Sequence, residues 1–290
     1  MKRNIVHVSA TAGWSAAPVA PRAVNPPPHR WMIKSMGTAF SLAILGASPT
    51  ATEELIAAIK EDFARIESWL SVLRPDSEIY QWQHGHLRDA QLSMEIREVM
   101  ADCNLAEELT GGLFSAQHAD KYDPTCYVKG WTLSRASRRL DDAGIDSYYL
   151  NGAGNVIARG NGPDGKPWRL GVTHPYHPGE LAAMITAPAG DGRPLAIATS
   201  CAGECGSHGC ADDWLPGNST VTVVGHQIAL VNMASIAALA AGRQGSDGSS
   251  QLVRHLGLEA FGFDDDQHPW WTEGMRHYAL APQTAKVAVH

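Results

Sequence analysis

The chain has 290 residues, 44% hydrophobic and 18% charged, which is enough to bury a sizeable core and excludes global disorder. Its formal net charge is −7 and it has no polybasic run, which argues against a nucleic-acid partner that needs phosphate neutralisation. The longest apolar run, 39–47, is too short to cross a bilayer, so no transmembrane segment is expected. Residues 1–30 carry Pro18, Pro21, Pro26, Pro27 and Pro28 and read as an irregular leader. Lys2 and Arg3 could open a signal peptide, but His7, Ser9, Thr11 and Ser15 interrupt its apolar part. The odd count of five cysteines favours a reducing compartment. A cytoplasmic location is therefore expected, with export or membrane association as the alternative.

Beyond the leader, 31–45 reads as a strand with a bend at Gly37. Thr50 and Glu53 are spaced as a capping box. Leu55, Ile56, Ile59, Phe63, Ile66 and Leu70 then form the stripe of an amphipathic helix. Further helices are expected over 94–109, stopping at Gly111-Gly112, and over 128–143, stopping at Gly144. From there the pattern changes to short strands at 147–150, 156–159, 168–172, 181–186, 196–199 and 220–224. A small-residue helix follows at 231–241. Helices come first and strands after, without regular alternation, which points to an α+β fold. A single domain over 31–262 is expected, followed by a tail, 263–290, in which Trp270 and Trp271 should pack somewhere.

Three stretches could carry chemistry. In Asp123-Pro-Thr-Cys-Tyr-Val-Lys129-Gly130, a lysine near a helix start can serve an anion, with the free N–H groups and positive dipole end adding to its charge. An ordinary helix start with a solvated lysine fits the same residues. Asn151-Gly152-Ala-Gly154-Asn155 can let the backbone approach a ligand closely, or can be a plain hairpin turn. Ser71 to Ser77 is a loop after a helix, or a simple connector.

Taken in order, these and other stretches resemble the ApbE family of flavin transferases, especially its actinobacterial branch. The matching residues are Met36-Gly37-Thr38, Ser71 through Ser77-Glu78, Thr110-Gly111-Gly112-Leu-Phe114, Asp123-Pro124 and Val128-Lys129-Gly130-Trp131. They continue with Asn151-Gly152-Ala-Gly154, Pro167-Trp168-Arg-Leu-Gly171-Val-Thr-His-Pro175, Ala198-Thr199-Ser200 and Val221-Thr-Val-Val-Gly225. The resemblance runs from about 31 to about 242. It implies the family's α+β fold, with helices packed on a mixed or antiparallel sheet. It also implies binding of FAD, splitting of its pyrophosphate with Mg²⁺, and attachment of FMN to a threonine of an acceptor protein. The residues implied at the flavin are Met36, Thr38, Ser77, Lys129, Gly152, Gly154, Asn155 and Thr199. His208 inherits the position of a candidate general base.

Several positions depart from the family pattern. Asn155, Ser115 and Ser134 stand where the family has aspartates. At the implied metal position an acid and a threonine become Asn232 and Ile236, which together offer a hard cation one neutral oxygen. The resemblance therefore implies a weakened Mg²⁺ position at Asn232. The alternative reading of the whole chain is a catalytically impaired pseudoenzyme of the same fold that binds flavin or a partner.

The loop after Ser200 carries Cys201, Glu204, Cys205, Gly206, His208 and Cys210. Cys201, Cys205, His208 and Cys210 supply three sulfurs and a nitrogen, which zinc accepts, although the compressed spacing matches no standard finger. A disulfide between two of them, or thiols without partners, fits the same residues. A zinc-stabilised interaction module is thus a third reading. Cys103 and Cys126 suit small buried apolar roles.

Overall fold

The structure, a computed structural model, describes residues 8–10, 28–118, 121–177, 179–188, 192–201, 218–242 and 245–280. Strand β1 (Val8–Ala10) lies in the leader. The 31–45 stretch is two strands, β2 (His29–Ser35) and β3 (Thr38–Leu45), paired antiparallel with Ser35 opposite Thr38. The expected bend is a two-residue turn in which Met36 and Gly37 both have positive φ, 51° and 69°. That is the type I′ geometry, whose twist matches the flanking strands.

Helix α1 (Pro49–Leu70) starts from a cap other than the expected one. Ser48 accepts a hydrogen bond from the Ala51 N–H, and Pro49 sits at the first helical position, where its missing N–H costs nothing. Thr50 and Glu53 lie inside the first turns instead. The expected stripe is confirmed in Ile56, Ile59, Phe63, Ile66 and Leu70, all buried. Helices α2 (Glu78–Gln83) and α3 (Met94–Leu109) follow, then the short pair β4 (Gln117–His118) and β5 (Lys121–Tyr122). Helix α4 (Thr125–Asp142) begins three residues before the expected start, because the Asp123 carboxylate accepts from the Thr125 N–H at 2.9 Å and draws in the first turn.

Next come β6 (Ser147–Gly152), β7 (Asn155–Arg159), β8 (Arg169–Thr173), β9 (Leu181–Thr186), β10 (Leu195–Cys201) and β11 (Asn218–Gly225). Helices α5 (Ile228–Ala241) and α6 (Ser246–His255) precede β12 (Glu259–Asp264), β13 (Pro269–Trp271) and β14 (Ala279–Leu280). Eight strands form one sheet in the order β13-β12-β11-β10-β7-β6-β3-β2, and four form a second in the order β1-β8-β9-β14. Every pairing in both is antiparallel.

Strand alternation sorts the large sheet's side chains between two cores. Phe40, Leu42, Leu150, Ile157, Ala198 and Val221 face α1, α4, α5 and α6. Ala43, Tyr149, Val156, Ile197, Val224 and Phe263 face the small sheet, meeting Leu170, Val172 and Ile185. The result is a three-layer α+β architecture of helices, large sheet and small sheet. Helix α5 is buried on nearly every side, as a sequence that is apolar all round except for Asn232 and Ser235 requires. A third core joins α1, α2, α3, α4 and α5 around Ile66, Ile96, Phe114 and Trp131.

Candidate functional site

Two turns and the end of a strand meet at one end of the large sheet. The β2–β3 turn at Met36-Gly37 and the β6–β7 turn at Ala153-Gly154 are both two-residue turns with positive φ, 53° and 81° in the second. Strand β10 ends at the same edge, because Asn155 pairs with Ala198 and a Cβ at Gly154 would lie 3.6 Å from the Thr199 carbonyl. Cys201, the last residue of β10, and Asn218, the first of β11, lie at the same edge. Met36 and Ala153 take the left-handed conformation without being glycine. Such strain concentrates at functional sites.

Between the Met36 hairpin, the end of α1, the 71–74 segment and the first turn of α4 lies a cavity of about 210 Å³. Met36, Gly37, Leu70, Arg74, Thr125 and Lys129 are among its walls. The Met36 sulfur lies 3.7 Å from the Thr132 hydroxyl, in contact with α4, while that hydroxyl donates its proton to the Val128 carbonyl at 2.7 Å. Lys129 is half-buried and makes no hydrogen bond or ion pair among the described residues. Arg74 is held bidentate by Asp76, at 3.1 and 2.6 Å, and the guanidinium holds the exposed Asp76 carboxyl below its usual range.

The sequence-expected residues divide into groups. Met36 and Lys129 share the cavity, and Thr38 opens β3 beside it. Gly152 is needed for packing, since a Cβ there would lie 2.2 Å from the Phe40 ring. Gly154 supplies one of the turn's two left-handed positions, beside Ala153. Asn155 is buried, with a long 3.5 Å contact from its Nδ2 to the Ala153 carbonyl. Ser77 is fully buried and its hydroxyl is committed: it donates to the Ser71 carbonyl at 2.5 Å and caps α2 by accepting from the Tyr80 N–H. Its place is in closing the 71–77 loop. Thr199 projects to the small-sheet face, where its hydroxyl meets that of Thr222 at 2.9 Å. His208, Cys205 and Cys210 lie outside the described residues, so of the zinc set only Cys201, buried at the end of β10, is placed. Cys103 is buried in the helical core, where burial pushes its thiol up to about 12.

Asn232, on α5, lies directly on the first turn of α4. A Cβ at Gly130 would come within 2.8 Å of the Asn232 Cβ, so glycine is what admits this approach. The Asn232 Nδ2 donates to the Cys126 carbonyl at 2.6 Å. Only the nitrogen end of the amide can bond a carbonyl oxygen, which fixes the side chain's orientation. Ile236, one turn on, is buried and apolar. Behind them, Ser235 donates to the Asn232 carbonyl at 2.8 Å and contacts the Ser200 hydroxyl at 2.9 Å. With the Ser235 proton so placed, Ser200 is the donor in that second bond. Sequence reasoning missed this chain, although Ser200 and Ser235 both stand out as polar residues in otherwise apolar stretches. Among the described residues no group of three His, Cys, Asp or Glu side chains is placed to hold a metal ion.

His174, in the 167–175 stretch, lies on the small-sheet side. Its Nδ1 accepts from the Tyr176 N–H at 3.2 Å, and its ring lies 4.7 Å from that of Phe263 and 4.4 Å from that of His177. Burial, and then the neighbouring His177, lowers its pKa.

The fold and these walls define a three-layer α+β protein with a lysine-bearing cavity at the start of a helix, a setting suited to an anionic ligand. The ApbE family profile matches residues 36–121 and 117–205, more than half of the chain, and the chain belongs to the ApbE family. Solved structures with the same fold include an ApbE protein from Thermotoga maritima, at TM-score 0.72 and 14% identity, covering 88% of this chain and 100% of that one. The flavinyl transferase ApbE of Pseudomonas stutzeri gives TM-score 0.70 and 15% identity over 89% and 100%. The flavin transferase ApbE of Vibrio cholerae gives 0.64 and 14% over 87% and 100%. At these identities the likeness is one of fold. No curated protein sequence matches the chain. No helix among the described residues is long and apolar enough to cross a membrane.

Proposed function

We propose that the chain is an FAD:protein FMN transferase. It binds FAD at the β2–β3 and β6–β7 end of the large sheet and passes the FMN part to a threonine of an acceptor protein. The observation that carries this reading is the convergence of Met36, Lys129 and the first turn of α4 on one cavity, in a chain of the ApbE family. Lys129 and the α4 start supply positive charge to the diphosphate. Met36, Leu70 and Gly37 supply an apolar wall for a ring of the ligand. At about 210 Å³ the cavity is below the ~300–1,000 Å³ usual for a whole ligand, so it takes one ring system and leaves the remainder of FAD outside it.

In the transfer the threonine oxygen bonds to the FMN phosphorus while that phosphorus loses its bridging oxygen. AMP leaves, and the hydroxyl proton passes to a base, for which His208 is the candidate. Thr38, the turn from Gly152 to Asn155 and Thr199 complete the proposed flavin surroundings, Thr199 through its backbone. Neither the family match nor the structural likenesses favour the catalytically silent alternative.

The test is incubation of the protein with FAD and a threonine-bearing acceptor peptide, followed by in-gel flavin fluorescence after denaturation. A covalently labelled peptide is expected, lost in His208→Ala. Absence of FAD binding by fluorescence quenching would overturn the reading. FAD binding without any labelled acceptor would reduce it to flavin binding.

A further inference from the structure

The family resemblance implies a divalent cation at the positions of Asn232 and Ile236 on α5, and the residues there do not fit one. A hard cation takes oxygen ligands, normally with a carboxylate among them. Here position 232 is an amide whose nitrogen, not its oxygen, faces the Cys126 carbonyl at 2.6 Å. A backbone carbonyl has two lone pairs. In a helix beginning at Thr125, one lone pair of Cys126 serves the helix and the other takes Asn232. A cation ligated by this carbonyl would have to displace the amide. Ile236, on the same face one turn later, is buried and donates nothing. α5 packs onto α4 so closely here that a Cβ at Gly130 would lie 2.8 Å from the Asn232 Cβ. The Ser200–Ser235–Asn232 chain ties the same turn of α5 to β10.

We propose that the Asn232 amide takes the cation's place at the α4–α5 junction: its N–H supplies the positive end that draws the Cys126 carbonyl to α5, and FAD binds without a divalent ion ligated at Asn232. Only the FAD arm of the test rests on the flavin reading. The stabilising role of the amide stands independently of it.

Two measurements on the full chain decide the matter. In the first, FAD is titrated by fluorescence quenching in excess EDTA and in excess Mg²⁺, with dissociation constants expected to agree within about twofold. A loss of tenfold or more in EDTA, about 1.4 kcal/mol, would overturn the proposal. In the second, Tm is followed without FAD, in EDTA and in MgCl₂. Wild type should be unmoved by Mg²⁺. Asn232→Asp sets a carboxylate oxygen against the Cys126 carbonyl, so it should melt about 3–6 °C lower in EDTA and recover with Mg²⁺. Should that variant fail to fold, Asn232→Ala carries the test, with a lowered Tm in EDTA and Mg²⁺ alike. Wild-type stability in both variants, or a Mg²⁺-dependent Tm in wild type, would overturn the role given to the amide. If FAD binds in neither buffer, the flavin reading falls and the FAD-free melts still decide this one.

Discussion

Gly152 shows how a motif residue can be held by packing alone. Its Cα faces the Phe40 ring, and an alanine methyl would lie 2.2 Å from Cδ1 and 2.3 Å from Cε1. Phe40 is fully buried and stacks edge-on against Phe63 at 4.9 Å, so the ring has nowhere to go. Gly152→Ala should therefore cost about 1–3 kcal/mol in urea unfolding, the range for overpacking a tight core. A cost below about 0.5 kcal/mol, the level of an ordinary surface change, would mean that the sheet relaxes there. His174 gives a pH prediction at the same scale. Its folded pKa is depressed below the ordinary 6.5, so the unfolded chain binds the proton more readily. Stability held above about pH 6.5 should fall as the pH drops through that value, and Tm measured from pH 7.5 to 5.5 should fall less steeply in His174→Gln. An identical slope in the two proteins would remove His174 as the cause.

At the scale of elements, periodicity was a reliable guide where one face is buried. The stripe from Ile56 to Leu70 follows directly from 3.6-residue spacing, and α3 keeps the expected bounds, 94–109. Starts were less legible, since a helix start is decided by which nearby side chain reaches a free N–H. Ser48 serves α1, where Thr50 and Glu53 form an equally good pattern on paper. Ser48→Ala should cost about 0.5–1 kcal/mol, while Thr50→Ala should stay within about 0.5 kcal/mol of wild type. The reverse order in thermal melts would restore the Thr50 box. The 31–45 hairpin was hidden for a related reason: its turn uses Met36, and type I′ turns are recognised in sequence mainly by Asn-Gly or Asp-Gly. The candidate site was expected from an ordered set of small motifs, of which the structure brings Met36 and Lys129 to one cavity. What the motifs could not say is which hydroxyls are already spent, as in Ser77, or which face of β10 a residue takes, as in Thr199.

For the molecule as a whole, the stretch beyond 262 matters most, because its sequence has little period while its contacts span all three layers. Strand β13 extends the large sheet beyond β12, placing Trp270 against Gly262 and Trp271 opposite Phe261. The Thr272 hydroxyl accepts from the Ala260 N–H at 2.9 Å and donates to Glu259. Met275 is buried between the sheets with Phe263, and β14 adds to the edge of the small sheet beside β9. Fully burying a large apolar side chain contributes about 1.5–3 kcal/mol, so Phe263 and Met275 together supply about 3–6 kcal/mol of a net stability of about 5–15 kcal/mol. A chain ending at 262 would lose both, and would leave β9 and β12 as open, partly apolar edges. It should bind the dye ANS, lose its cooperative melt and aggregate, whereas a chain ending at 280 keeps every one of these contacts and is the control. A cooperative melt within about 3 °C of the control would show instead that the three layers stand without the last strands.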